Sequence, residues 1–327
     1  MRFSILLASV AAVLSSSNFC WSNPTSSELR LLTLGDWGID SPARKQVGEA
    51  MAKFAAEPGQ RPDAVLLLGD NFYVKLSGVA DGQIQSFFEQ TYDPARLNVP
   101  FYAVMGNHDY SNGDVKIEME YTRSRDTRLK IPSRWYRLDL PVEKPLVTVL
   151  MLDSDAPPNL MTQQDWAAEN RWLGEELSKP HAPWLICCAH HDVFGNGNHG
   201  DNGVLMTTWG PLFMHAGVDF YVCGHEHTLQ HLEIPKWPIS FVVAGGGGAG
   251  NKPMLRDNRG PFSRSTHGFA SFRFTPDVAT VQLIGADGAI VHEFSRSREG
   301  KVTVTLNSQS DPATKHKLKA INGIDDK

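Results

Sequence analysis

The stretch AVLLLGDNFY, residues 64–73, holds the pattern that decides the fold. Its apolar run, Ala64–Leu68, has the length of a strand, and a run without polar alternation suits a strand covered on both faces. Gly69 then permits a tight turn, and Asp70 sets a carboxylate just past the strand. The arrangement recurs along the chain. Leu31–Leu34 leads to Gly35-Asp36, Phe101–Met105 to Gly106-Asn107-His108, and Phe220–Cys223 to Gly224-His225-Glu226-His227. Trp184–Ala189 leads straight to His190, without the glycine.

Helical segments fall between these runs. Pro42–Ala56 follows Ser41, an N-cap ahead of a helix-start proline. Thr162–Ser178 sets Trp166, Leu173 and Leu177 near one face. Thr207–Ala216 reads as a third helix, with Gly210-Pro211 near its start. Strands alternating with helices give an α/β layered fold. From Leu229 to Phe294 short strands and turns take over, as a second sheet or an antiparallel edge. The expected organisation is a catalytic domain over residues 28–297 and a polar, Lys-containing tail over 298–327.

Composition narrows the function. Of 327 residues, 41% are apolar, enough to fill a core and exclude global disorder. Acidic residues (36) outnumber basic ones (31), which argues against a nucleic-acid partner. No apolar run reaches the roughly 18 residues of a membrane span. Residues 1–22 have signal-peptide anatomy: Arg2, the apolar run Ile5–Leu14 and a small residue, Ser22, before the expected cut. The expected location is therefore secreted, periplasmic or an endomembrane lumen. Beyond that segment remain Cys187, Cys188 and Cys223, all in apolar runs and expected as buried thiols. Adjacent in a strand, Cys187 and Cys188 should face opposite sides.

In an α/β sheet the strand C-termini converge on one rim, where ligands bind. Here that rim would receive Asp36, Asp70, Asn107, His190, His225 and His227. Their oxygen and nitrogen donors suit two divalent or trivalent ions. The ordered blocks Gly35-Asp36-Trp37-Gly38, Gly69-Asp70-Asn71-Phe72-Tyr73, Gly106-Asn107-His108-Asp109, Ala189-His190 and Gly224-His225-Glu226-His227 resemble those of purple acid phosphatases. The spacing is similar to that of the small, mammalian-type (tartrate-resistant) members of the calcineurin-like metallophosphoesterases.

The resemblance implies a four-layer αββα metallophosphoesterase sandwich and an acid phosphatase that hydrolyses phosphomonoesters, either small ones or phosphoproteins. It assigns a ferric ion to Asp36, Asp70, Tyr73 and His227. It gives a second, divalent metal (Fe, Zn or Mn) to Asn107, His190 and His225, with Asp70 bridging and a metal-held hydroxide as nucleophile. Hard anionic donors suit the ferric ion, and the neutral set suits a divalent one. Tyr73 discriminates: many related enzymes carry an Asp-x-His block, and here that His position is Gly38. The resemblance makes His108 and His199 catalytic, as proton donors or phosphate anchors. With Asn107 and His191 they form the expected substrate contacts, although the mammalian-type proteins usually have another residue at position 191.

The remaining candidates take structural roles. Asp109 should orient its loop, Glu226 should face away from the metals, and Gly245–Gly248 should form a backbone wall. One departure from the family is the loop Asp153–Thr162, which is short and lacks cysteine. Two rivals accompany this reading. One is a phosphodiesterase or nucleotide-pyrophosphate hydrolase on the same site; the other is a metal-binding surface interaction protein. The expected state is a monomer.

Overall fold

The computed structural model describes residues 28–256 and 259–310. The expected signal peptide at 1–22 lies outside them. Among the described residues, fifteen strands form two sheets. The first contains β1 (Leu29–Leu34), β2 (Ala64–Leu67), β3 (Phe101–Ala103), β4 (Leu129–Lys130), β12 (Gly268–Phe274), β13 (Val278–Gly285), β14 (Ile290–Ser297) and β15 (Val302–Asn307), in the order β15-β14-β13-β12-β1-β2-β3-β4. The second contains β5 (Tyr136–Leu140), β6 (Val147–Met151), β7 (Trp184–Cys188), β8 (Phe220–Cys223), β9 (Leu229–Glu233), β10 (Ser240–Ala244) and β11 (Phe262–Arg264), in the order β11-β9-β10-β8-β7-β6-β5.

The helices are α1 (Pro42–Ala56), α2 (Gly82–Ile84), α3 (Asn107–Asn112), α4 (Val115–Ser124), α5 (Gln163–Leu177), α6 (Gly203–Thr208) and α7 (Gly210–Ala216). Alternate side chains of the inner strands divide three apolar cores. Leu31, Leu66, Val149, Ile186, Cys188 and Phe272 fill the space between the sheets. Leu32, Leu67 and Phe101 pack outward on Val47 and Met51 of α1. Leu185, Cys187 and Tyr221 pack outward on Leu173 of α5 and Phe213 of α7. This is the four-layer αββα arrangement, and the two cysteines face opposite sides as the strand period requires. All three described cysteines are buried free thiols.

Helix α1 begins as expected, with Ser41 Oγ accepting from the Arg44 N–H at 3.1 Å. Three expectations need correction. The segment Thr207–Ala216 is two helices: Asn202 Oδ1 caps α6 by accepting from Val204 and Leu205, and Pro211 at the start of α7 supplies no N–H. The run from Leu229 to Phe294 divides between the sheets, β9–β11 closing the second and β12–β14 flanking β1 in the first. The chain beyond 297 is not simply a tail, since β15 pairs antiparallel with β14 and extends the sheet to Asn307. Its alternating Val-Thr-Val-Thr pattern places Val302 against the inner core. Among the described residues no helix is long and apolar enough to cross a membrane.

Candidate metal centre

Both sheets deliver donors to one rim. Strands β1, β2 and β3 run parallel and end before Asp36, Asp70 and Asn107; β7 and β8 run parallel and end before His190 and His225. Backbone bonds join the two rims, from Gly35 N–H to Ala244 O (2.8 Å) and from Gly247 N–H to Gly35 O (3.0 Å). The glycine-rich wall therefore lies directly on the Asp36 turn. A Cβ on Gly247 would stand 2.2 Å from Gly35 O, so only glycine permits this approach.

The turns themselves are strained. Four described non-glycine residues have φ in the left-handed region: Asp36 (61°), Asp70 (52°), His225 (65°) and Lys236 (71°). Three of the four are expected metal ligands. Such conformations cost about 1–3 kcal/mol each and persist where surrounding contacts enforce them.

The donor atoms form two clusters. In the first, Tyr73 Oη lies 3.1 Å from Asp36 Oδ1 and 3.1 Å from His227 Nε2, and His227 Nε2 lies 3.4 Å from Asp36 Oδ1. In the second, His190 Nε2 lies 3.0 Å from Asn107 Oδ1, 3.2 Å from His225 Nδ1 and 3.4 Å from Asp70 Oδ1. Bonds of about 2.0–2.1 Å to one ion set adjacent donors about 3 Å apart, which is the spacing found here. Donor atoms of Asp36, Asp70 and His190 lie within 4.8 Å of one another, so the clusters adjoin. The seven ligands expected from the sequence are thus brought together, and this mixed set fits two ions.

Outer partners hold several of the donors in place. His190 Nδ1 donates to Leu68 O (2.9 Å) and His227 Nδ1 to Gly250 O (2.7 Å), turning each Nε2 toward its cluster. Asp36 Oδ2 accepts from the His225 N–H (2.9 Å), leaving Oδ1 for the first cluster. Burial, reinforced by the Asp36 and Asp70 carboxylates, pushes the Tyr73 phenol far above its ordinary value. The chain by itself thus favours the neutral phenol. Burial and then neighbouring imidazoles push His225 and His191 well below theirs. Burial opposes charge on His190 and His227, but the carboxylates outweigh it and hold both above the ordinary value.

His108 sits at the rim with its ring centroid 4.2 Å from that of Tyr73, and its N–H donates to Asp70 Oδ1 at 2.9 Å. His199 is exposed, with its ring 4.0 Å from His225. His191 is buried beside them. A cavity of about 490 Å³ is lined in part by His191, Asp192, His199, Asn202 and His225. Asp109 does orient its loop, accepting from Gly106, Asn71 and Phe72 N–H groups (2.8–3.2 Å).

Glu226 joins neither donor cluster. It is fully buried and turns to the loop that carries His199, Oε1 accepting from the N–H groups of His199 (2.8 Å) and Gly200 (3.1 Å). Gly197 lies against it, with a would-be Cβ 1.9 Å from Oε2. The sequence also gave no signal for a brace behind the Asp70 turn, where Asn71 Nδ2 donates to Val104 O (2.9 Å) and Glu118 Oε2 (3.0 Å). Nor did it single out Arg134, which pairs with Asp153 and Asp165 (both 2.9 Å) and pins the short loop after β6. Tyr110, two residues past His108, donates to the same Asp153.

The calcineurin-like phosphoesterase family matches residues 29–229. The chain belongs to the calcineurin-like phosphoesterases, on their purple acid phosphatase branch. Among these phosphoesterases, it is similar to tartrate-resistant acid phosphatase type 5 of Oryctolagus cuniculus, 28% identical over 306 residues, covering 82% of this chain and 90% of the relative. The solved structures that share this fold include the following two. One is GAP50, the anchor in the inner membrane complex of Plasmodium, with a TM-score of 0.74 and 19% identity over 91% of this chain and 95% of that one. The other is the purple acid phosphatase PPD1 of yellow lupin seeds, with a TM-score of 0.66 and 17% identity over 83% of this chain and 54% of that one.

Proposed function

We propose that this chain is an exported acid phosphatase for phosphomonoesters, built on a ferric position (Asp36, Asp70, Tyr73, His227) and a divalent position (Asn107, His190, His225) that share Asp70. The observation that carries this is the pair of adjoining donor clusters, each with its atoms 3.0–3.4 Å apart, with His190, His227 and Asp36 also bonded outward to the fold. A surface interaction protein has no need to keep every donor or to hold three of them in left-handed turns. Two bound cations would supply positive charge to phosphate oxygens and acidify water between them.

The protein residues supply the rest. The Asn107 carbonyl turns to His190, which leaves its amide nitrogen to donate to a phosphate oxygen. His108, its backbone tied to Asp70 and its ring on Tyr73, stands at the rim to pass a proton to the departing alkoxide. His199, held over His225 by Glu226, anchors the phosphate from the opposite side. The adjoining cavity, with its polar wall, receives the leaving group. The test is hydrolysis of nitrophenyl phosphate and its methyl diester across pH by the purified iron-containing protein. The expected result is a bell-shaped profile with an acidic optimum and a clear preference for the monoester. A faster diester reaction would overturn the assignment.

A further inference from the structure

His191 has a fixed place in the structure that the proposed chemistry leaves unused. Its backbone is held twice, the N–H donating to Ser154 Oγ (2.8 Å) and the carbonyl accepting from the Tyr221 hydroxyl (2.6 Å). Its ring is held once more, Nδ1 against Ser154 Oγ at 2.9 Å. With Nδ1 as the donor to that oxygen, Nε2 carries the lone pair, and no described residue hydrogen-bonds to Nε2. The ring centroid lies 4.5 Å from that of His225 and 5.0 Å from that of His190. Donor atoms of His190, His191 and His225 all lie within 4.8 Å of one another. Donors of one tetrahedral zinc ion, with bonds of about 2.0–2.1 Å, stand about 3.3–3.4 Å apart, so His191 need close by no more than about 1.5 Å to share the ion of the other two.

We propose that His191 is a third imidazole donor to the second metal position, and that this position takes zinc. The proposal rests on the two-position reading above and deepens it. Each added imidazole favours zinc over manganese and ferrous iron, because nitrogen donors suit zinc and its affinity exceeds theirs in the divalent series. Ser154 would serve as the outer partner that sets the tautomer, as Leu68 O does for His190. The short loop carrying Ser154, pinned through Asp153 to Arg134, then becomes part of the metal site.

The test uses the full chain with iron in the first position and zinc added to the second. X-ray absorption at the zinc edge should count three imidazoles in the wild type and two in His191→Phe. Chelator competition should find zinc bound at least about 10–100-fold more weakly in the variant, since even an outer partner is worth that much, while the visible iron band is unchanged. Ser154→Ala, which keeps the ring but removes its partner, should weaken zinc in the same direction by about tenfold. Two imidazoles in the wild type, or equal zinc affinity with only KM altered, would overturn the proposal and leave His191 as a substrate contact. Failure of the wild type to develop an iron band would instead count against the ferric position, while the zinc-edge count would still judge His191.

Discussion

Glu226→Ala should release the loop that carries His199 without emptying the metal positions. The carboxyl accepts two backbone N–H groups, from His199 at 2.8 Å and Gly200 at 3.1 Å, and is fully buried. An unpaired buried donor costs about 1–3 kcal/mol. His199 is exposed and Gly200 only half-buried, so the lower part of that range applies, about 1.5 kcal/mol each, and the local closed state loses about 3 kcal/mol. At about 1.4 kcal/mol per tenfold, the open population of residues 195–200 rises roughly 100-fold. Hydrogen exchange of the His199 and Gly200 amides should accelerate by that factor, while amides in β7 and β8 keep their protection. Turnover on an alkyl phosphate should fall about 10–100-fold, with metal content and visible band unchanged. Glu226→Gln, which retains Oε1, should lie between the two. Unchanged exchange at His199 in Glu226→Ala would refute the reasoning.

His108→Ala should retain both metals and lower turnover by roughly 10²–10⁴ on an alkyl phosphate; the loss on nitrophenyl phosphate should be smaller, and equal losses would make His108 an anchor only. Asp70→Ala should lose both ions and Asn107→Ala mainly the divalent one, as metal analysis would report; two ions per chain in Asp70→Ala would contradict the bridging role. Asp155 is raised by burial to about 6, so its protonated form is favoured by folding. That contribution is complete below the unfolded value near 3.9 and is lost as pH rises through about 6. Allowing for solvent screening, Asp155→Asn should gain about 1–2 kcal/mol relative to the wild type at pH 7, and equal slopes of stability against pH would remove the effect.

The donors were legible because each follows an apolar run that stops at a fixed chemical signal. A short-range pattern of strand, glycine and ligand survives without tertiary information. What it could not reveal is that Asp36, Asp70 and Asn107 arrive from one sheet and His190, His225 and His227 from the other, since pairing of β1 with β12 joins residues more than 200 apart. The partners of Glu226 were not legible either, since its bonds to the His199 and Gly200 N–H groups span 27 and 26 positions and have no local signature. The strand at Val302–Asn307 was missed because its exposed edge residues dilute the apolar signal, Val304 and Leu306 each being 40% exposed. The Asn71–Glu118 brace spans 47 positions and has no local signature.

The central claim is that Tyr73 stands with Asp36 and His227 on a ferric ion. Its most direct test is the visible spectrum and iron content of the purified wild type and Tyr73→Phe. The account predicts a broad charge-transfer band in the wild type that disappears in the variant while part of the iron remains, because three other donors are left in place. A band that survives the substitution, or an iron-loaded wild type with no band, would contradict it.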